Sequence, residues 1–190
     1  MEALETKRLI LKSYGIEDAK GLFSYASNPN VGPPAGWAPH KSVEESENII
    51  RELFLPAEAW SIRLKESDKI IGTISLEADK HRPESNSKEM GYSLAFEYWG
   101  QGIMTEAALR VIEYGFTGLG LSQIGICTGK TNKRSRGVIK NCGFKYEGTI
   151  RKSYRIYDGT LRDSLIFSIL KKEWESRHIN TSKKVKRLCW

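Results

Sequence analysis

The sequence predicts an α+β fold built around a mixed central sheet, in a single domain. Two observations lead to this prediction. Strand and helix patterns follow one another in the order strand, two helices, three strands, helix, strand, helix and two strands, so the two kinds of element are intermixed. The chain has 190 residues, with no internal repeat and no linker before about Trp174. We therefore expect one domain over residues 1–174 and a basic tail over 175–190.

The first part of the chain supplies a strand and two helices. Residues 5–12 have the pattern of a strand, and residues 17–26 carry apolar side chains at helical spacing. The segment 28–40 holds four prolines and two glycines in 13 residues, which predicts a connection without regular structure. It leads into a capping box, Ser42-Val43-Glu44-Glu45, which opens a helix to about residue 54.

The remainder supplies the other strands and two further helices. Strands are expected at 60–65, 69–76, 89–96, 124–128, 144–150 and 161–170. Helices are expected at 102–116, before Gly118 and Gly120, and at 134–141. The polar stretch 79–88 is typical of a loop. In this count the fourth and fifth strands are 89–96 and 124–128.

Composition argues against several classes of protein. No uncharged apolar run approaches the roughly 20 residues that cross a bilayer, and the N-terminus lacks the apolar core of a signal peptide. The three cysteines, Cys127, Cys142 and Cys189, form no C-x-x-C pair, and the three histidines are scattered. Both facts argue against a disulfide framework and against a metal site. We expect a cytoplasmic protein that needs neither a metal nor a membrane.

The net charge of +7 is concentrated in two segments. Residues 1–129 hold 13 basic and 18 acidic side chains, whereas residues 130–155 hold nine basic side chains and one acidic side chain. The last twenty residues hold seven basic and two acidic side chains. The first segment is either a solvated face or a site for a phosphate-rich ligand. The second is either a frayed tail or a contact for an acidic partner.

A strand that runs through two glycines into a helix, over residues 91–108, is the most informative segment. The first amides of a helix lack internal acceptors and attract anions, and Gly100 and Gly102 let a large ligand approach the main chain. The spacing fits neither a Walker loop nor a dinucleotide-binding fingerprint. The alternative explanation of the two glycines is a tight turn between strand and helix that binds no ligand. A pyrophosphate here and a second phosphate on the basic segment 130–155 would together indicate coenzyme A.

Several motifs resemble those of the GCN5-related N-acetyltransferases. The run Tyr98-Trp99-Gly100-Gln101-Gly102-Ile103-Met104-Thr105-Glu106-Ala107 is similar to the acetyl-CoA-binding motif of that family. The segment 132–144, with Glu147-Gly148, is similar to the motif that follows it. Three segments resemble one branch of the family in particular, the enzymes that acetylate the N-terminal alanine or serine of ribosomal proteins. These segments are residues 6–11, Gly91-Tyr92 and 158–163. The resemblance covers residues 5 to about 174.

The resemblance implies a fold in which the fourth and fifth strands splay apart to admit pantetheine, with about four helices around the sheet. Main-chain groups of four residues would pair with pantetheine: Ser93, Leu94, Ala95 and Phe96. Five amides would take the pyrophosphate: those of Gln101, Gly102, Ile103, Met104 and Thr105. Asn132 would bind the pantetheine or phosphate arm, and Ser135 would lie near the thioester sulfur. The candidates for the adenosine 3′-phosphate are Lys133, Arg134 and Arg136.

Three positions depart from the usual pattern of the family. Trp99 and Met104 replace the Gln or Arg and the Gly or Ala that normally bound the pyrophosphate motif, and Met104 would crowd the pyrophosphate. Ile139 occupies the position at which many members carry a tyrosine general acid. Another group must then serve the departing thiolate, or the thiolate leaves without a proton.

The expected mechanism is a direct attack of an amine on the acetyl carbonyl in a ternary complex. A main-chain amide near Leu94 would polarise the carbonyl. Ser135 would donate a proton or a hydrogen bond to the sulfur, although it could instead only cap a helix. Glu89 shares a strand face with Ser93 and is the candidate base, unless it is a plain surface carboxylate. Tyr154 is a second candidate for either role.

The nature of the acceptor is narrowed by acid–base chemistry. An α-amine with a pKa of about 8 is roughly one-tenth neutral at pH 7, whereas a lysine amine is neutral about once in a few thousand molecules. A site without a strong base therefore favours a protein N-terminus. The alternatives are a small amine, such as a polyamine held by Glu44, Glu45 and Glu47, and a non-catalytic ribosome- or RNA-binding protein with its contacts in the tail. The sequence leaves a homodimer open.

Overall fold

The computed structural model describes residues 1–83 and 85–177, and it has the mixed α+β fold that the sequence predicts. The described residues form one eight-stranded sheet in the order β1-β2-β3-β4-β5-β6-β8-β7. Its strands are β1 (Leu4–Glu5), β2 (Leu9–Ser13), β3 (Glu58–Leu64), β4 (Ile70–Ala78), β5 (Ser87–Leu94), β6 (Gln123–Gly129), β7 (Lys145–Arg155) and β8 (Leu161–Leu170). The basic tail beyond residue 177 lies outside the described residues.

Six α-helices occur in the described ranges, where about four were expected. They are α1 (Ala19–Ala26), α2 (Gly32–Ala35), α3 (Val43–Ile49), α4 (Ile103–Thr117), α5 (Lys133–Cys142) and α6 (171–177). Short 3-10 turns at Ile16–Asp18 and Phe96–Tyr98 precede α1 and α4, and a π-helical turn at Ile50–Phe54 continues α3. The two unexpected helices are α2 and α6.

The expectation of no regular structure over 28–40 is wrong for the four residues of α2. Pro33 and Pro34 are its second and third residues, and the first turn of a helix tolerates proline because its amides have no helical acceptor. Gly36 then ends the helix in a left-handed conformation with φ of +106°. Helix α6 follows β8 directly, and its Trp174 ring packs against Phe116 of α4 with 5.5 Å between the ring centroids.

The splay between the fourth and fifth predicted strands is confirmed, and these strands are β5 and β6. They pair in parallel at three positions only, from Ser87 opposite Gln123 to Glu89 opposite Gly125. Every other pairing in the sheet is antiparallel among the described residues. Beyond Glu89, β5 follows β4 alone, so its other edge is open.

The two faces of the sheet carry different helices. Trp60 on β3 is fully buried and meets the ring of Tyr114 on α4 edge to face, with centroids 5.6 Å apart. Tyr25 on α1 reaches the opposite face, where its hydroxyl lies 2.5 Å from Thr73 Oγ1 and 3.2 Å from Ser93 Oγ. Because side chains alternate along a strand, Ser93 faces α1 while its neighbour Tyr92 faces α4 and α5.

Candidate active site

Two cavities lie beside the divergence of β5 and β6, and they share a wall. The smaller cavity has a volume of about 320 Å³ and extends to the N-terminus of α4. The larger cavity has a volume of about 450 Å³ and is lined by residues of α1 and of the segment 28–40. Six residues line both: Pro34, Ala35, Tyr92, Ser93, Asn132 and Ser135. This junction is where two ligands, one in each cavity, would meet.

The direction of the main-chain groups on β5 follows from one hydrogen bond at its end. The amide of Ala95 donates to the carbonyl of Ile71 at 2.7 Å, and the register places Leu94 opposite Gly72. Hydrogen-bonded and non-hydrogen-bonded pairs alternate along antiparallel strands. The amide of Leu94 therefore points away from β4 to the open side, whereas the amides of Ser93 and Ala95 point to β4.

Among the four residues predicted to pair with pantetheine, Leu94 has the amide that fits the role. The amide of Ala95 donates to the Ile71 carbonyl, and strand register turns the amide of Ser93 to β4 as well. The Leu94 carbonyl accepts a hydrogen bond from Trp99 Nε1 at 2.8 Å. Phe96 opens the 3-10 turn, where its carbonyl accepts from the amide of Trp99.

The N-terminus of α4 forms the far end of the smaller cavity. Gly102 is its N-cap, with φ of +73°, and no side chain of the described residues caps this turn. The cavity is lined by four of the five residues predicted for the pyrophosphate, namely Gly102, Ile103, Met104 and Thr105. Gln101 is exposed, and its side chain donates to the Glu97 carbonyl. Met104 is 5% exposed and belongs to the buried core cluster.

Arg8 and Glu106, to which the sequence assigned no role, brace this helix end. Arg8 Nη1 donates to the carbonyl of Gln101 at 3.1 Å, and Arg8 Nε donates to Glu106 Oε2 at 2.6 Å. Glu106 Oε1 also accepts from Thr6 Oγ1 at 2.6 Å. Burial opposes ionisation of Glu106, but these hydrogen bonds outweigh burial and lower its pKa. Both residues lie inside motifs that carry the family resemblance, and this was the available clue.

The basic segment 130–155 divides between two places. Arg134 lines the smaller cavity and stacks on the Trp99 ring, with its guanidinium carbon 4.5 Å from the ring centroid. Lys133 and Arg136 are exposed on α5, outside both cavities. The second half of the segment lies on β7, so the basic residues that the sequence treated as one block belong to two elements.

Asn132 and Ser135 meet at the junction of the cavities. Asn132 caps α5, because its Oδ1 accepts from the amide of Ser135 at 3.1 Å. The cap of α5 is therefore Asn132, and the hydroxyl of Ser135 has a different partner. That partner is the hydroxyl of Tyr92, 3.0 Å away. Ile139 is 1% exposed and lies in the core.

The larger cavity brings Glu89 together with a thiol. Glu89 and Cys127 both line it. Burial, followed by the charge of Glu89 and a hydrogen bond to it, raises the pKa of Cys127 to about 12. The cavity is also lined by Glu77, which stands opposite Glu89 on β4 and accepts from Ser75 Oγ at 2.9 Å. The sequence did not single out Glu77, because only strand register brings it beside Glu89.

Tyr154, the third predicted catalytic residue, lies at the wall of the larger cavity against Arg162. The guanidinium carbon of Arg162 is 4.6 Å from the centroid of the Tyr154 ring. Arg162 Nη1 donates to the carbonyl of Pro34 at 3.0 Å, and Nη2 donates to that of Ala35 at 2.8 Å. Arg162 thus fixes α2 over the junction, a role that the sequence did not indicate.

Neither a metal-binding cluster nor a membrane-spanning helix occurs in residues 1–83 and 85–177. No group of three or more His, Cys, Asp or Glu side chains that could hold a metal occurs there. No helix in those ranges is both long and apolar enough to cross a membrane.

The chain matches a family model described as an acetyltransferase (GNAT) domain over residues 8–145. It is 35% identical to uncharacterized N-acetyltransferase p20 of Bacillus licheniformis, over 92% of this chain and 99% of that protein. It is 33% identical to uncharacterized N-acetyltransferase YoaA of Bacillus subtilis, over 88% and 96% of the two chains. A partial relative is spermidine N(1)-acetyltransferase of Escherichia coli, 29% identical over 43% of this chain and 44% of that protein.

Solved structures share the fold. The ribosomal-protein-S5-alanine acetyltransferase of Vibrio fischeri is 26% identical over 92% of this chain and 99% of that chain, with a TM-score of 0.76. The microcin C7 self-immunity acetyltransferase MccE, determined in complex with acetyl-CoA and AMP, has a TM-score of 0.73 at 24% identity, over 87% and 93% of the two chains. The chain belongs to the GNAT family of acetyltransferases and is an acetyl-CoA-dependent N-acetyltransferase.

Proposed function

We propose that the acceptor is the α-amine of a protein N-terminus, which attacks the acetyl group of acetyl-CoA directly in a ternary complex. The observation that carries the proposal is the mixed charge of the larger cavity. Glu77 and Glu89 line it together with two cationic side chains, those of Lys80 and Arg162. A peptide N-terminus brings one positive charge and several carbonyl groups, and it complements this lining better than a polycation does.

Two of the three carboxylates that the sequence offered for a polyamine are engaged elsewhere. Glu45 Oε2 accepts from the amide of Lys41 at 2.6 Å at the start of α3, and Glu47 Oε1 lies 2.8 Å from Arg51 Nη2. Neither of these residues, nor Glu44, lines either cavity. This arrangement favours an α-amine, which also needs less help from a base because more of it is neutral at pH 7.

We assign the roles within the reaction as follows. The amine nitrogen attacks the carbonyl carbon, a C–N bond forms, and the oxygen becomes negative while the amide of Leu94 donates to it. Glu89 takes the surplus proton of the nitrogen, directly or through water. The C–S bond then breaks with its electron pair on sulfur, and Ser135 Oγ donates a hydrogen bond to that sulfur. Tyr154 is the alternative group for either proton-handling role.

The protonation state of Cys127 and Cys142 supports direct transfer of the acetyl group rather than transfer through an acetyl-cysteine intermediate. Burial raises the pKa of Cys142 to about 12, and burial together with Glu89 does the same for Cys127. Both side chains are therefore thiols at neutral pH, and the thiol is a far weaker nucleophile than the thiolate.

The second candidate is acetylation of a small amine, and the partial relative that acetylates spermidine supports it. The ribosomal-protein acetyltransferase of known structure supports the first candidate over almost the whole chain. The experiment is to measure thiol release from acetyl-CoA with four acceptors: an Ala- or Ser-initiated peptide, the same peptide with a blocked N-terminus and one lysine, spermidine, and an aminoglycoside. We expect the unblocked peptide to react fastest. Turnover with spermidine alone would refute the proposal.

The remaining parts of the proposal concern the setting of the enzyme. The lack of a paired-cysteine framework supports a cytoplasmic location. The basic residues at 183–187 support a contact between the tail and the ribosome, which sedimentation with ribosomes at low and high salt would test. A homodimer is an open prediction that light scattering would test.

A further inference from the structure

Tyr92 stands at the junction of the two cavities and contacts the residue proposed to serve the leaving sulfur. Its hydroxyl lies 3.0 Å from Ser135 Oγ and 3.3 Å from the Ser135 carbonyl, and both residues line both cavities. The tyrosine that many family members carry one turn later on α5 is replaced by Ile139, which has no hydrogen-bonding side chain. A phenol therefore reaches this junction from β5 instead of from α5.

We propose that Tyr92 is a positioning residue that donates its hydroxyl proton to Ser135 Oγ and so directs the Ser135 proton toward the departing sulfur. The inference rests on the role assigned to Ser135 above. It concerns the leaving group, so it does not depend on which amine is the acceptor.

At 3.0 Å either hydroxyl can be the donor, and the surrounding groups favour donation from Tyr92 to Ser135 Oγ. The Ser135 carbonyl already accepts the helical bond from the amide four residues later, and it is the farther of the two oxygens from Tyr92. Burial raises the pKa of Tyr92 well above its usual value, so the phenol keeps its proton and remains a donor. The Ser135 amide is held by Asn132 Oδ1, which fixes the serine main chain while Tyr92 fixes its hydroxyl.

In this arrangement Tyr92 assists the departure of the thiolate without a net transfer of its own proton. As the C–S bond breaks, the electron pair moves to sulfur, and Ser135 Oγ–H donates to the developing thiolate. Ser135 Oγ in turn accepts from Tyr92, which polarises the serine hydroxyl and makes it a stronger donor. The proton that finally neutralises the thiolate comes from the amine nitrogen through Glu89 or water.

Four proteins test the proposal: wild type, Tyr92→Phe, Ser135→Ala and the double variant. Tyr92→Phe keeps the ring and should lower kcat about tenfold, with less than about a twofold change in the KM of acetyl-CoA, as expected for a hydrogen bond that strengthens in the transition state. In the Ser135→Ala background, Tyr92→Phe should cause no further loss. Tyr14→Phe is the matched control, because Tyr14 is buried, lies 2.5 Å from Thr73 Oγ1 and lines neither cavity.

The outcomes separate the inference from the proposed function. If Tyr92→Phe is fully active while Ser135→Ala is slow, the role of Tyr92 is overturned and that of Ser135 stands. The same holds if Tyr92→Phe lowers kcat equally in the wild-type and Ser135→Ala backgrounds. Full activity of Ser135→Ala overturns the role of Ser135 as well. Ser135→Thr gives a second measurement should Tyr92→Phe fold poorly. It retains the hydroxyl and should exceed Ser135→Ala in kcat, and an equal rate of the two would contradict the proposal.

Discussion

Substitution of Gly102, at the start of α4, can distinguish the effect of backbone strain from an effect on ligand binding. Gly120 provides the matched control. Gly102 has φ of +73° and Gly120 has φ of +67°, both in the left-handed region. A Cβ built at Gly102 lies no closer than 3.8 Å to any neighbour, namely Arg8 Nη2, and one built at Gly120 meets nothing within 4 Å. Alanine at either site therefore strains the backbone without a clash, but only Gly102 lines the smaller cavity.

The expected magnitudes follow from this comparison. A left-handed alanine costs about 1–2 kcal/mol, which for a chain of this size lowers the melting temperature by about 2–4 °C for each kcal/mol. Both variants should show this loss. At Gly102 the methyl group would also come between the helix amides and a pyrophosphate bound there as the family resemblance implies. Loss of one charge-assisted hydrogen bond there is worth about 1.5–3 kcal/mol, so the Kd for coenzyme A should rise about tenfold to a hundredfold.

The assay pairs a thermal melt of each variant with calorimetric titration of coenzyme A. Gly102→Ala and Gly120→Ala should melt alike, and only Gly102→Ala should bind coenzyme A more weakly. Wild-type affinity in Gly102→Ala would show that the phosphates do not approach the start of α4. Equal weakening in both variants would show that the effect comes from stability rather than from contact.

Two further predictions concern the braces around the site. Because hydrogen bonds from Thr6 and Arg8 hold the pKa of Glu106 below its usual 4.5, its contribution to stability is complete above that pH and is lost as the pH falls. The melting temperature of Glu106→Gln should therefore decline less than that of the wild type between about pH 6 and pH 3, and parallel declines would contradict the assignment. Arg162→Lys keeps the charge but cannot reach both carbonyls of α2. Loss of one of these hydrogen bonds, worth about 1 kcal/mol, should lower kcat/KM for the acceptor about fivefold. It should also speed cleavage by chymotrypsin after Trp37. An unchanged cleavage rate would argue against a role of Arg162 in holding α2.

The features that the sequence predicted well are those whose information is local. The helix over 102–116 and the strand before it were found because apolar spacing and two glycines describe a strand, a turn and a helix within one short segment. Segment 28–40 was misjudged for a local reason, since two prolines indicate a loop unless they fall at the first positions of a helix. The approximate positions of the other strands and helices followed from the same periodicities.

The contacts that build the site join distant parts of the chain, and no local pattern describes them. Tyr92 meets Ser135 across 43 residues, Arg8 meets Glu106 across 98, and Arg162 meets Pro34 across 128. Each depends on which strands are neighbours and on their register. Because side chains alternate along a strand, a shift of one residue would turn Glu77 and Glu89 out of the larger cavity.

The sequence alone therefore determined the family resemblance, the mixed sheet and the glycine-containing turn that leads into α4, since these rest on residues close together in the chain. Tertiary structure decided which amide of β5 is open, which basic residue reaches the smaller cavity and which hydroxyl accompanies Ser135. The physical reason is that hydrogen-bond direction and side-chain burial depend on register and packing across the sheet, and these exist only when the strands have assembled.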